Sequence, residues 1–503
     1  MIWNLEEFFK SKKDCLNSIE RLDRLYNKLE NYKTCEFDNE NEINDFLKFY
    51  NVYSDLKNEF ESYFDLLEIQ NYQDNMVKTL KGKFKITDTN MANLFDEIFS
   101  KIESKIEKYK ESKDYLKYKA IIENYEPQIE YEFMRHENAF YTLENDLASS
   151  NVRPEKLKHT YLEIINNYYN SIIENIDNPY IEEVLSYHPE ISYKDLKKLF
   201  KIISNNSYLN SIYQKIILND SVFKVPNTEY LKAQEQIYAS LNVLGEDYRA
   251  NLKDIFSQNR IDHEIRKNKQ DIDVTYSTKN HKAFASIHYR KDIESILILS
   301  HELGHMVEHN YKYNKDAKIK DPATELYSLT NELITGKYLL KNANTLNEKI
   351  NISLELINIY MTNIFENIST IDLSLKVGKT IEKNGYIDLK NINNISSNII
   401  NKYNLLASRY FWITSDLFEN LNQLLYVYGI IGASNICSNI ENKTFDAKDY
   451  IESLKKGPNE SFEVYNTLGC NPLDENNISK TLSSYKNLLE NTQDLVHEKK
   501  KRR

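Results

Sequence analysis

His301-Glu302-Leu303-Gly304-His305 closes an apolar run formed by Ile293, Ile296, Leu297, Ile298 and Leu299. The spacing predicts a helix that is buried over most of its surface. Residues four apart stack on one helical face, so His301 and His305 point the same way. Two imidazoles so placed can supply two of the three protein ligands of a catalytic zinc, with a fourth position open to water. Glu302 adjoins the first of them and can reach that water as a general base.

The third ligand is expected downstream, in Asp321-Pro322-Ala323-Thr324-Glu325-Leu326-Tyr327-Ser328-Leu329-Thr330-Asn331-Glu332. Asp321 is a good N-cap and Pro322 suits a first helical position, so a second helix is expected to start there. Glu325 then lies one turn in. The stretch from Glu308 to Lys320 is long enough to turn the chain round and bring the two helices antiparallel. Two histidines and a glutamate from a neighbouring helix are an established zinc ligand set.

The two stretches together resemble the oligoendopeptidase F branch of the thimet-oligopeptidase metallopeptidases, whose motif is H-E-x-G-H followed by E-x-x-S-x-x-N-E. Gly304 is part of that pattern, although glycine costs a helix about 1 kcal/mol. A glycine there lets another backbone or a substrate approach closely. Leu244-Gly245-Glu246-Asp247-Tyr248 is similar to the family's L-G-x-x-Y, and Arg260-Ile261-Asp262 is also family-like. The start, Trp3 to Phe9, resembles the family's N-terminal tryptophan segment.

The resemblance implies a mainly α-helical, two-layer fold around a deep substrate channel, with a small β-sheet beside the zinc helix. It implies an N-terminal helical region, residues 1–225, walling the channel, and a catalytic region, residues 226–503. Val274 to Ser277 and Ala283 to Tyr289 read as short strands. In the family a strand just before the zinc helix pairs with bound peptide. The candidates here are Ala283, Phe284, Ala285, Ser286, Ile287 and His288, which as an exposed edge would offer backbone donors and acceptors. Asn331 or Glu332 would orient a metal ligand from behind. The family's tyrosines donate to the oxyanion formed on attack; Tyr428 is the first choice for that donor and Tyr426 the second. The chain departs from the pattern at Leu417, where alignment on Trp412 places the family's histidine.

Composition agrees with a helical protein. Across 503 residues there are only 10 Gly and 8 Pro. Among the early stretches, Ile19, Leu22, Leu25, Tyr26 and Leu29 form an apolar ladder, with breaks expected at Asn39–Asn41, Lys81–Lys83 and Glu126–Pro127. His136, His159 and His188 lack metal spacing and read as structural or surface histidines, and His281 and His288 have no ligand spacing either. Net charge is -11 with both signs interspersed, which argues against a nucleic-acid binder. The run Lys499 to Arg503 reads as a solvated basic tail. Four scattered cysteines without a C-x-x-C suit a reducing compartment. No secretory signal or membrane span is evident, so a cytoplasmic protein is expected.

The function expected is hydrolysis of internal bonds in short oligopeptides by a Zn2+-activated water. Two alternatives stand beside it: a catalytically impaired peptide-binding protein on the same scaffold, and a zinc exopeptidase. The intact Glu302 speaks against the first. No motif anchoring a peptide terminus supports the second.

Overall fold

The computed structural model describes residues 5–112, 154–219, 227–277, 282–311, 321–456 and 461–502, apart from 111, 175, 177, 416, 419 and 420. Trp3, His136, His281 and the expected break at Glu126–Pro127 lie outside the described residues. The chain packs as two compact units, and neither is one continuous stretch.

The first unit holds α1 (Lys12–Lys33), α2 (Glu40–Gln70) and α3 (Asn75–Ile106). Ser11 and Asn39 cap α1 and α2, each accepting a backbone N–H three residues on. The break at Asn39 is thus where it was expected, but the one at Lys81–Lys83 is not. Gly82 sits inside α3, with nothing within 4 Å of where a Cβ would lie. An exposed glycine weakens a helix without ending it. The chain turns instead at residues 71–74, where Asp74 accepts the N–H groups of Met76 and Val77. Ladder residues Ile19, Leu22 and Leu29 are buried in an aromatic-rich core with Phe46, Phe60, Phe64, Phe95 and Phe99.

The same unit contains a three-stranded sheet in the order β1 (Ile261–Asp262), β3 (Ala283–Ser286), β2 (Val274–Ser277), with β1 parallel and β2 antiparallel to β3. The expected boundary at 225/226 is therefore not the one the packing follows. Residues 259–288 belong with the N-terminal helices, because Phe284 joins their core, its ring tilted against Phe8 at 5.6 Å. In the family-like Arg260-Ile261-Asp262, the Asp262 carboxylate is buried and paired with Arg266 and Lys269. The Lys269 ammonium also ties the Asp262 and Ile287 carbonyls, at 2.8 Å each.

The second unit is helical. It comprises α4 (Pro154–Ile173), α5 (Tyr180–Ser186), α6 (Tyr193–Asn205), α7 (Tyr208–Asn219), α8 (Tyr230–Ser240), α9 (Glu246–Ser257), α10 (Ile293–Tyr311), α11 (Thr324–Asn342), α12 (Leu346–Tyr360) and α13 (Asn367–Asn384). It continues with α14 (Leu389–Tyr403), α15 (Phe411–Thr414), α16 (Gln423–Glu441), α17 (Ala447–Ser453), α18 (Ser461–Thr467) and α19 (Glu475–Arg502). A π-helical turn, Met361–Glu366, joins α12 to α13. The basic C-terminal residues extend α19 as its exposed last turn, where cations suit the helix dipole. No helix among the described residues is long and apolar enough to cross a membrane.

The most extensive packing sets α11 between α10 and α16. Two glycines permit it. A Cβ at Gly304 would lie 2.6 Å from the Ser328 Cα, and one at Gly429 would lie 2.6 Å from the Glu325 carbonyl oxygen. The obstacles are backbone, which cannot swing aside as a side chain can. Gly304→Ala is therefore expected to destabilise the chain by about 1–3 kcal/mol, despite alanine's better helix propensity. A urea midpoint at or above wild type would show that α10 and α11 can separate freely.

Candidate metal centre

Helix α10 carries His301 and His305 on one face. Both rings turn toward α11. Their Nε2 atoms are 3.2 Å apart, and the Glu325 Oε2 lies 3.5 Å from the first and 3.6 Å from the second. The expected ligand trio is thus brought together, and it forms the one metal-competent His/Cys/Asp/Glu group among the described residues.

The start of α11 differs slightly from expectation. The helix begins at Thr324, and Asp321 and Pro322 form a turn before it. Asp321 is therefore not the N-cap: Ala323 holds that place without a side-chain cap, and the Asp321 carboxylate accepts the Ala323 N–H at 2.8 Å within the preceding turn. Glu325 is consequently the second helical residue, held by a 2.8 Å hydrogen bond from the Ser328 hydroxyl.

Behind the trio stand more carboxylates. Glu332 Oε2 is 3.3 Å from His301 Nδ1. Asn331 reaches neither ring. Its Nδ2 donates to the Ser300 carbonyl at 3.0 Å and its Oδ1 accepts from the Tyr248 hydroxyl at 2.8 Å. It thereby fixes α11 against α10, and it gives the tyrosine of Leu244–Tyr248 a structural role. Glu308 was missed by sequence reasoning as a partner for a ligand. Its carboxylate lies 3.8 Å from His305 Nδ1, an ion-pair distance, and accepts the Thr324 hydroxyl at 2.7 Å. The available signal was its position three residues beyond His305, on the same helical face.

Glu302, Glu308, Glu325 and Glu332 are all buried. Burying so many acids is costly unless positive charge compensates them. The histidines register the field. Burial alone would lower the His301 pKa, but Glu332, with Glu325 and Glu302 beside it, pushes it up to about 10. For His305 burial opposes the rise again, and Glu325 and Glu308 prevail. A pocket that draws protons onto two imidazoles suits a dication held by the same nitrogens.

No family model matches the chain. It is 24% identical over 407 residues to an oligoendopeptidase F homologue of Borreliella burgdorferi. That match covers 75% of this chain, which spans 65% of the length of the relative. The fold is similar to that of a crystallised Chlamydophila abortus protein classed as a peptidase, with TM-score 0.77 over 98% of both chains at 16% identity. Oligoendopeptidase-F of Enterococcus faecium matches with TM-score 0.62 at 14% identity, over 96% of this chain and 98% of that one. The chain is thus similar in sequence to an oligoendopeptidase F homologue and shares the fold of oligoendopeptidase F structures.

Two expectations drawn from that family need correction. The first concerns the peptide-pairing strand. β3 is the centre of its sheet: β2 pairs with Ala283, Phe284, Ala285 and Ser286 along one edge, and β1 pairs with Ala285 and Ser286 along the other. Ile287 donates to the Asp262 carbonyl at 2.9 Å, and the His288 N–H donates to Asp273 at 2.8 Å. A strand already paired on both sides has no ladder to offer a peptide. The outer edges of the three strands belong to β1 and β2.

The second concerns the oxyanion donor. Tyr428 is fully buried, its hydroxyl has no hydrogen-bond partner, and its ring meets Phe462 edge-on at 5.6 Å. Burial raises its pKa, and the acids that add to the rise are Glu190 and Asp195, not those of the trio. None of these contacts brings Tyr428 to His301, His305 or Glu325. Tyr426 lies three residues before Gly429, which abuts Glu325, and so shares the face of α16 turned to the trio. It is half-buried. Leu417 is buried, with its carbonyl accepting the Tyr169 hydroxyl at 3.1 Å, and its side chain can exchange no proton. Trp412 is a core residue whose Nε1 donates to Asn393 at 2.9 Å. His188 is buried beside Glu190 and His159 is exposed, both apart from the trio.

Proposed function

We propose that the chain is a zinc-dependent endopeptidase acting on short oligopeptides. The observation that carries the reading is the triangle of His301 Nε2, His305 Nε2 and Glu325 Oε2, with sides of 3.2, 3.5 and 3.6 Å. Bonds of about 2.0–2.2 Å at tetrahedral angles separate zinc ligands by about 3.3–3.5 Å. The donor chemistry, two imidazoles and a carboxylate, is that of zinc peptidases and leaves a coordination position open. The peptidase names of the relatives and of the solved structures support the same reading.

His301, His305 and Glu325 would hold the ion. Zinc in that place supplies Lewis acidity at the scissile carbonyl and lowers the pKa of water to about 7. Glu332 accepts from the His301 Nδ1–H, and Glu308 faces His305 Nδ1 at 3.8 Å, so both acids favour the tautomer whose Nε2 lone pair faces the trio. Glu302 takes the proton of the attacking water and delivers it to the leaving nitrogen. Tyr426 donates to the oxygen on which charge develops.

The test is cleavage of an internally quenched peptide blocked at both ends, together with zinc content. Cleavage that is lost on chelation and restored by zinc is expected. Cleavage of unblocked peptides only would establish an exopeptidase. The buried Leu417 and the averted Tyr428 favour a second reading, a peptide-binding protein of weak activity, and binding without turnover in a zinc-loaded chain would establish it.

For the oxyanion donor, Tyr426→Phe is expected to lower kcat by about 10²–10³-fold with little change in KM. Tyr428→Phe, which removes an unpartnered hydroxyl, is expected to stay near wild type. The reverse pattern in steady-state kinetics would return the role to Tyr428.

A further inference from the structure

The π-helical turn Met361–Glu366 borders a cavity of about 620 Å³ within the second unit. Such turns recur at functional sites. The cavity is rich in acceptors. Asn210 is 2% exposed; its Nδ2 donates to the Tyr403 carbonyl at 2.8 Å, while its Oδ1 is buried without a partner. A buried acceptor left unmade is costly, and a ligand donor would satisfy it. The Glu366 carboxyl also lines the cavity, with the Thr362 hydroxyl as its partner and no ion pair among the described residues. Burial raises its pKa, as expected of an acid awaiting a cation. Tyr213, on the same wall, is raised by burial and then by Glu366 and Glu355. No lysine, arginine or histidine is among the lining residues. The one charged side chain among the lining residues is thus the Glu366 carboxyl, which favours a cation over an anion.

One helix, α16, borders both the cavity and the metal centre. Gln423 lines it and opens α16. Gly429, which abuts Glu325, lies six residues further along that helix, or about 9 Å at 1.5 Å per residue. An extended peptide covers that distance in about three residues. We propose that this cavity binds the protonated nitrogen of a peptide substrate, either its α-ammonium or a lysine or arginine side chain, about three residues from the bond presented to the metal centre. This rests on the peptidase reading of that centre.

The full chain carrying Glu302→Gln, titrated calorimetrically, provides the test without requiring turnover. Three hexapeptide amides serve as probes: one with a free N-terminus and no basic side chain, one acetylated with a lysine, and one acetylated with norleucine in its place. One of the first two is expected to bind about 10–100-fold more tightly than the third, the value of a hydrogen bond to a charged group. Which one does so separates the two sources of the cation. Adding Glu366→Gln is expected to close the gap. Ser408→Asp, at the exposed rim, keeps an acceptor for the Tyr410 N–H and is expected to widen it. Equal affinity for all three peptides, or a gap insensitive to both substitutions, would overturn the proposal. Cleavage of the blocked peptide and zinc content would stand or fall separately.

Discussion

Glu302→Gln is expected to keep wild-type zinc content and lose turnover by about 10²–10⁴-fold, the usual contribution of a positioned general base. Glutamine is nearly isosteric, so the packing of α10 should survive. The amide cannot accept the water proton, and the neighbouring carboxylates among the described residues have other partners. Glu325 and Glu332 are committed to Ser328 and His301, and Glu308 to Thr324. Leu417, where the family has a histidine, is apolar and buried. Zinc measured by mass spectrometry beside the rate for a blocked peptide decides the matter. Near-normal turnover in a zinc-loaded variant would sink the assignment of Glu302.

Glu325→Ala is expected to weaken zinc binding by more than about 100-fold, and Glu332→Ala by about 10–100-fold. The difference follows from what each carboxylate touches. Glu325 Oε2 lies within 3.6 Å of both Nε2 atoms and closes the triangle. Glu332 reaches only the far nitrogen of His301, at 3.3 Å, so its loss frees the ring's orientation and tautomer without removing a donor. Competition against a chromophoric chelator gives both affinities. Equal values for wild type and Glu325→Ala would move the third ligand elsewhere, with Glu308 or His309 next in line. A chain that loses zinc through Glu332→Ala as completely as through Glu325→Ala would make Glu332 a donor in its own right.

Much of the centre was legible in the chain because it depends on local rules. Four-residue spacing puts His301 and His305 on one face wherever the helix lies. The unusual glycine announced a close approach, and Ser328 is the backbone it admits. Glu325 was placed one turn into a second helix, and a two-residue error in where α11 begins did not change the face it presents.

What only the tertiary structure decided are questions of rotation and neighbourhood. The periodicity of Ala283–Ser286 marks a strand but carries no sign of whether it lies at the edge or the centre of its sheet. That depends on where Ile261–Asp262, more than twenty residues earlier, comes to pair. The same pairing draws residues 259–288 to the N-terminal helices, across the boundary at 225/226 that the family resemblance implied. Tyr426 and Tyr428 are equivalent as letters. The angle at which α16 rolls against α11 separates them, and Gly429 sets that angle by meeting the Glu325 backbone at a distance no side chain could tolerate. Glu308 became a partner of His305 only when the start of α11 brought Thr324 to hold its carboxylate. Spacing along one helix is covalent and short-ranged, whereas the roll of a helix and the place of a strand are set by contacts between segments far apart in the chain.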